Sequence, residues 1–213
     1  GPKILLNQPT NPVTKTNLTL TGQVLDNLSG VAALQAKLDN GAFAPVALSP
    51  TGTFSLPTTL ALDGTAEGLH TLTFQATDNQ SNLTTLAFTF TLDTVLPTLT
   101  LVSPTADQVL TDGAGVSGTA DATGSKLVEL CYKFDNGVLV PISFDPVSGS
   151  FDAPLDLSKL AVGAHTLSLR AQDAAGNVTT ITRNVSLAAP IPLTITGVTP
   201  QPGSSDVGST FRP

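Results

Sequence analysis

Two histidines, one cysteine and a scatter of aspartates are the side chains with chemistry to offer. His70 and His165 occupy matching places about 95 residues apart, each opening a strand that continues to Leu72 or Leu167. No second His or Cys lies near either one in sequence, so neither reads as a metal ligand. A structural tie is expected instead. Sandwich domains often place a Tyr at this corner whose hydroxyl bonds nearby backbone, and a ring nitrogen can do the same. Cys131 would need an activating base to act as a nucleophile, and neither His is placed to be one. It is expected beside Glu129 and Lys133 on the outward face of its strand, as a half-exposed free thiol. Lys37 and Lys133 also recur in register. A Lys–Asn isopeptide cross-link would need a buried Lys beside a carboxyl group, whereas both lysines are expected opposite the aliphatic core, in solvent. No acid/base or nucleophile constellation assembles, so a non-catalytic protein is expected.

The elements that carry these residues are duplicated. Asp39-Asn40-Gly41 returns as Asp135-Asn136-Gly137, Gly68-Leu69-His70-Thr71-Leu72 as Gly163-Ala164-His165-Thr166-Leu167, and Asp78 to Asn82 as Asp173 to Asn177. A near-constant shift means equal units with small loop differences, placed at 3–93 and 97–188. Within each unit apolar residues alternate with polar ones, the period of a half-buried strand. Val128, Leu130, Tyr132 and Phe134 share one face, and Ala32, Leu34, Ala36 and Leu38 are their counterparts. The Asn-Gly pair after each is a hairpin signal that predicts positive φ at both central residues. About seven short strands per unit predict two all-β sandwiches. Pro190-Ile191-Pro192 reads as a stiff linker, and 190–213 as that linker plus the truncated start of a third module.

Composition excludes several classes. The chain carries 9 basic and 16 acidic residues, a net charge of −7, with no basic cluster to neutralise phosphates; nucleic acid is not an expected partner. No apolar run reaches the length of a membrane span. One cysteine permits no disulfide within the chain. Six Asn-x-Ser/Thr triplets, at Asn17, Asn27, Asn79, Asn82, Asn177 and Asn184, are expected by chance in a Thr-rich chain. Gly1-Pro2 reads as the scar of a cleaved tag, so the natural N-terminus is expected elsewhere.

The pattern Gly-x-His-Thr-Leu, followed by Ala-x-Asp-x-x-x-Asn as in Ala171 to Asn177, resembles tandem bacterial immunoglobulin-like repeats of large cell-surface and secreted proteins, notably adhesins. Asp93-Thr94-Val95-Leu96-Pro97 resembles the Asp-Thr-x-x-Pro joint between such repeats. The first copy of the Asp…Asn motif, Asp78-Asn79-Gln80-Ser81-Asn82, departs from the pattern in lacking the Gly. The resemblance covers about 185 residues. It implies immunoglobulin-like sandwiches at the bacterial surface or outside the cell, acting as structural spacers or adhesion repeats. Their partners would be neighbouring repeats, with host-cell, matrix or glycan ligands taken by other domains. It also implies Ca²⁺ at the joint as a stiffener.

In such a sandwich the chain enters at the end that carries the B–C and F–G loops. Asp93, Asp121, Asp173 and Asn177 should therefore converge between the units, and Ca²⁺ takes six to eight oxygens of this kind. The first-unit set, Asp26, Asp78 and Asn82 facing Asn7, has fewer carboxylates and is expected to bind more weakly. No EF-hand loop occurs, and Asx-turns at hairpin ends account for the same residues without a metal. The alternative function is a carbohydrate- or protein-binding accessory module of a secreted enzyme. Sugar platforms use exposed Trp and Tyr, and this chain has no Trp and one Tyr, Tyr132, expected inward.

Overall fold

The computed structural model describes residues 1–189. The expected linker and third module at 190–213 lie outside the described residues.

Alternation produces the strands the sequence implies, and all regular structure among the described residues is β. The first unit holds β1 (Lys3–Leu6), β2 (Val13–Thr14), β3 (Thr19–Leu25), β4 (Val31–Leu38), β5 (Ala44–Val46), β6 (Thr53–Pro57), β7 (Gly68–Asp78) and β8 (Leu83–Leu92). The second repeats this as β9 (Thr98–Ser103), β10 (Gln108–Leu110), β11 (Gly115–Asp121), β12 (Leu127–Phe134), β13 (Val140–Pro141), β14 (Ser150–Pro154), β15 (Gly163–Asp173) and β16 (Val178–Leu187). Each unit is a three-stranded sheet facing a five-stranded one, in the orders β1-β3-β6 with β2-β8-β7-β4-β5, and β14-β11-β9 with β10-β16-β15-β12-β13.

Eight strands form per unit where about seven were expected, because the first strand is split. β1 pairs antiparallel with β3 in one sheet, and after a Pro-containing break β2 pairs parallel with β8 in the other. The same crossing recurs at β9 and β10. By switching sheets, the opening strand gives one edge of each sheet a short strand, which limits unpaired edge groups.

Each unit has its own core. Leu20, Leu34, Phe74, Phe90 and Leu92 are buried in the first, and Leu110, Leu130, Tyr132, Leu167 and Leu169 in the second. The inward rows of β4 and β12 depart from simple alternation at their starts. Ala32 and Val128 are exposed, because the register against the neighbouring strand slips between Val31 and Ala33 and between Leu127 and Glu129. A bulge adds one residue to a strand and turns the side chains before it to the other face. The hairpin after β4 also differs in detail. Positive φ falls on Asp39 (φ 50) and Asp135 (φ 50) rather than on Asn and Gly, and the Gly41 N–H closes the turn on the Leu38 carbonyl at 2.9 Å.

Candidate functional site

The segment joining the units is held from both sides. Backbone N–H of Asp93 donates to the Thr14 carbonyl at 2.9 Å, continuing the β2–β8 ladder past the end of β8. The Thr94 N–H donates to both carboxylate oxygens of Glu67 at 3.0 and 2.9 Å, and its hydroxyl bonds the same group. From the second unit, Asn177 Nδ2 donates to the Asp93 carbonyl at 2.8 Å, and the Thr179 hydroxyl to the Pro97 carbonyl at 2.5 Å. Lys15 of the first unit donates from Nζ to the Gly176 carbonyl of the second at 2.7 Å.

Of the four residues expected at this joint, Asp93, Asp173 and Asn177 are linked and Asp121 stands apart. Asn177 Nδ2 donates to Asp173 Oδ2 at 3.0 Å as well as to Asp93. The Asn177 N–H donates to Asp173 Oδ1 at 2.9 Å. Asp173 and Asn177 therefore form an Asx-type turn whose amide reaches across to the incoming chain. Asp121 is exposed, and its Oδ1 accepts the Ala122 N–H at 2.9 Å. Asp93 is fully buried. Its Oδ1 accepts the Val95 N–H at 3.1 Å, and its Oδ2 has no hydrogen-bond partner. Gly124 (φ 92) lies against this carboxyl group, and a Cβ there would come within 2.7 Å of Asp93 Oδ1. Ser125 Oγ, on the same loop, is likewise buried without a partner. Among the described residues no three His, Cys, Asp or Glu side chains converge as a metal-holding group.

The first-unit set has the same local form without the partner. Asp78 accepts the N–H groups of Gln80 and Asn82 and, at 2.7 Å, Asn82 Nδ2. The Asn82 amide leads the bonds that pull the Asp78 pKa down to about 2. Asn82 is exposed where Asn177 is buried, and its amide bonds Asp78 without reaching a second segment. Asp26 spends one oxygen on its own loop, accepting the N–H groups of Leu28, Ser29 and Gly30, and the Ser29 N–H is the main cause of its lowered pKa. Asn7 bonds Thr21, not this set.

Both histidines make the structural tie, and each makes it twice. His70 Nδ1 meets Asp39 Oδ2 at 2.8 Å, and its Nε2 meets the Ala66 carbonyl at 2.9 Å. His165 repeats this with Asp135 at 2.7 Å and the Ala161 carbonyl at 2.7 Å. The other oxygen of each Asp accepts the N–H of Thr71 or Thr166, and this bridging accounts for an Asp adopting positive φ at the turn. The partner aspartates were not singled out from sequence, although both triplets recur with nearly the same shift. Glu67 and Lys15 belong to no short motif in the sequence. The available signal for Glu67 was a difference between copies, since Val162 stands in its place in the second unit.

Cys131 differs from expectation. It does face away from the core beside Glu129, but it is buried, with 2% of its surface exposed. Arg170 and Pro141 flank it on the neighbouring strands, and an Arg170–Glu129 ion pair of 2.8 Å closes over that side of the sheet. Long side chains cover small ones in this way. Burial, then the Glu129 carboxylate, push the thiol pKa up, which removes thiolate and hence reactivity. Native protein at pH 8 is expected to leave Cys131 unmodified by a thiol reagent over hours, with full reaction on unfolding; modification within minutes in the native state would contradict the covered thiol. Lys37 lies with Nζ 5.3 Å from the Phe43 ring centre. The Tyr132 ring is buried and its hydroxyl accepts the Asp156 N–H at 2.8 Å, so it offers no face for stacking a sugar.

No protein-family model and no curated protein matches the chain. Solved structures do. One is a tetra-tandem repeat in the extending region of a large adhesion protein, at 23% identity over 87% of this chain and 48% of that one, TM-score 0.36. Another is from a 1.5-MDa bacterial ice-binding adhesin, at 18% identity over 88% of this chain and 65% of that one, TM-score 0.39. Two of the similar structures thus come from large adhesion proteins. Murine CEACAM1b is also similar, at 11% identity over 88% of this chain and the whole of that one, TM-score 0.44. The chain spans about half to two thirds of the two adhesin chains. No helix among the described residues is long and apolar enough to cross a membrane.

Proposed function

We propose that these units are non-catalytic spacer and adhesion repeats of a large extracellular bacterial protein, and that their working part is the joint. The observation that carries this is the grip on Asp93, Thr94 and Pro97 from both units at once, with the Asp93 side chain fully buried between them. A linker bonded on both sides transmits orientation, so each unit adds a directed length to a rod. The extracellular setting rests on the motif resemblance in Gly163 to Leu167, Ala171 to Asn177 and Asp93 to Pro97.

Ca²⁺ belongs to this proposal as the joint's stiffener. Its support is the bare, buried Asp93 Oδ2, beside a glycine whose missing Cβ leaves the carboxyl group room; on that glycine's loop the Ser125 hydroxyl is also buried without a partner. Asp93 would anchor the ion, with Asp121, which stands exposed at the end of β11, turning in to join it, and Asp173 and Asn177 would hold the linker in place around it. When bound, the ion would supply charge compensation that the chain itself leaves undone at Oδ2. With few carboxylates the affinity expected is that of extracellular modules, a Kd of about 10⁻⁴–10⁻³ M. Calorimetric titration at millimolar Ca²⁺ should show one site that Asp93→Ala abolishes and Asp78→Ala keeps. Absence of heat, with an unchanged melting temperature in 10-fold excess over that Kd, would remove the ion and leave a joint held by hydrogen bonds alone.

A further inference from the structure

The two histidine corners are chemically unusual, because each ring lies between two groups that only accept. Carboxylate oxygens and peptide carbonyls have no proton to give, and His70 meets one of each at 2.8 and 2.9 Å. A neutral imidazole carries one N–H, so it can satisfy one partner and must turn a lone pair towards the other. Only the imidazolium satisfies both. The same holds for His165 between Asp135 and Ala161.

The corners differ in what they are fastened to. Ala66, held by His70 Nε2, is followed directly by Glu67, whose carboxylate holds the Thr94 N–H and hydroxyl of the linker. In the second unit Ala161 is followed by Val162, which has no carboxylate to reach onward.

We propose that His70 is a pH-sensitive latch on the joint: protonated, it fixes Ala66 and so aims Glu67 at the linker, and on losing its proton it releases Ala66 and loosens that grip. His165 is a corner of the same build without the linkage. The proposal rests on the spacer reading above, since it assigns regulation to that joint.

The charged groups acting on the His70 ring are Asp39 from the β4 turn and Glu67 from the segment ahead of β7, both acidic, while β8 presents the neutral Phe90 ring at 5.4 Å. Around His165 the acting charge is Asp135, and the shallow hollows beside the ring also carry Asp107 on one side and Lys133, Asp156 and Lys159 on the other. Burial disfavours the charge on His70, but the Asp39 and Ala66 bonds outweigh it and its pKa is raised; for His165 the Asp135 bond leads the same upward shift. A raised folded-state pKa means that the stabilisation is complete below the unfolded value of about 6.5 and is lost as pH rises through the folded value. The latch is therefore closed in mildly acidic medium and opens in alkaline medium. Burial opposes the charge on Asp39, but its bonds from His70 and Thr71 outweigh that and lower its pKa, so Asp39 stays ionised throughout that range.

Residual dipolar couplings measured on the two-unit protein at pH 5.5 and 8.5 test this, together with ring-proton titration of both histidines. At pH 5.5 the two units should share one alignment tensor. At pH 8.5 their magnitudes should diverge by about twofold or more. Glu67→Ala should diverge at both pH values, and His165→Gln should keep the wild-type pH response. Equal tensors at both pH values in wild type would overturn the latch while leaving the spacer reading intact. Unequal tensors at both would overturn the stiff joint itself. A His70 that titrates below the ordinary histidine value would overturn the requirement for imidazolium.

Discussion

Replacing Asn177 with alanine should cost the second unit about 2–4 kcal/mol and free the linker, whereas the same change at Asn82 should cost the first unit about 1 kcal/mol or less. The two residues are copies in sequence and differ in what their amides reach. Asn177 Nδ2 serves both the Asp173 carboxyl group and the Asp93 carbonyl, and all three residues are buried. Removing it strands two acceptors where water cannot replace the donor, and each stranded buried group costs about 1–3 kcal/mol. Asp78 is buried but Asn82, which covers its Oδ2, is exposed, so removing the Asn82 side chain opens that oxygen to water. The contrast can be measured cleanly, because Tyr132 is the one tyrosine and there is no tryptophan. Tyrosine fluorescence therefore reports the second core alone, and far-ultraviolet circular dichroism reports both. For a domain of this size the expected loss corresponds to a fall of roughly 10–20 °C in the second unit's midpoint. Equal losses in the two variants would show that the cross-joint bond adds nothing.

The asymmetry between equivalent residues also marks how far sequence reasoning reached. Strand period and the repeat shift are local signals, so the duplicated sandwich, the inward Tyr132 and the structural histidines could all be read from the chain. What the signals lacked was the identity of the cover. Alternation places Cys131 on the outer face but does not say that the Arg170 and Pro141 stems close over it from two other strands. Nor does it show a bulge, which is why Ala32 and Val128 point outwards. The His70–Asp39 pair spans 31 residues and the Asn177–Asp93 bond 84, so each depends on strand register that no short pattern encodes. At the joint Asp93, Asp173 and Asn177 are linked as neighbours, whereas Asp121, expected with them, bonds its own loop. The hydrogen-bonded grip itself depends on Glu67 and Lys15, which are present in one copy only, and averaging over the repeat hides what the copies do not share.

One shared feature, a glycine in the middle of a core strand, predicts the other large effect. Gly118 should not tolerate alanine: the substitution is expected to destabilise the second unit by about 3 kcal/mol, near the upper end for overpacking, and Gly22→Ala should do the same in the first. Each glycine sits on the inward row of its strand, between Leu20 and Val24 or between Val116 and Ala120, where alternation calls for a large apolar side chain. The space is already taken. A Cβ on Gly118 would lie 2.0 Å from the Thr100 carbonyl and 2.8 Å from the Phe151 ring; on Gly22, 2.2 Å from the Leu5 carbonyl and 2.7 Å from the Phe54 ring. The phenylalanine opposite each glycine lies across it and supplies the missing apolar cover. A ring could shift a little, but the carbonyl belongs to the backbone of the edge strand, β1 or β9. Displacing that strand would pull Ile4 or Leu101 from the core and disturb the sheet-switching segment that leads to β2 or β10. Gly115→Ala is the control, in the same strand with its nearest contact at 3.1 Å, where a small adjustment suffices and a loss under about 1 kcal/mol is expected. Thermal unfolding of the three variants decides the matter. If Gly118→Ala melts no lower than Gly115→Ala, the edge strand can yield, and the close approach of the two backbones is not what holds the first strand in register.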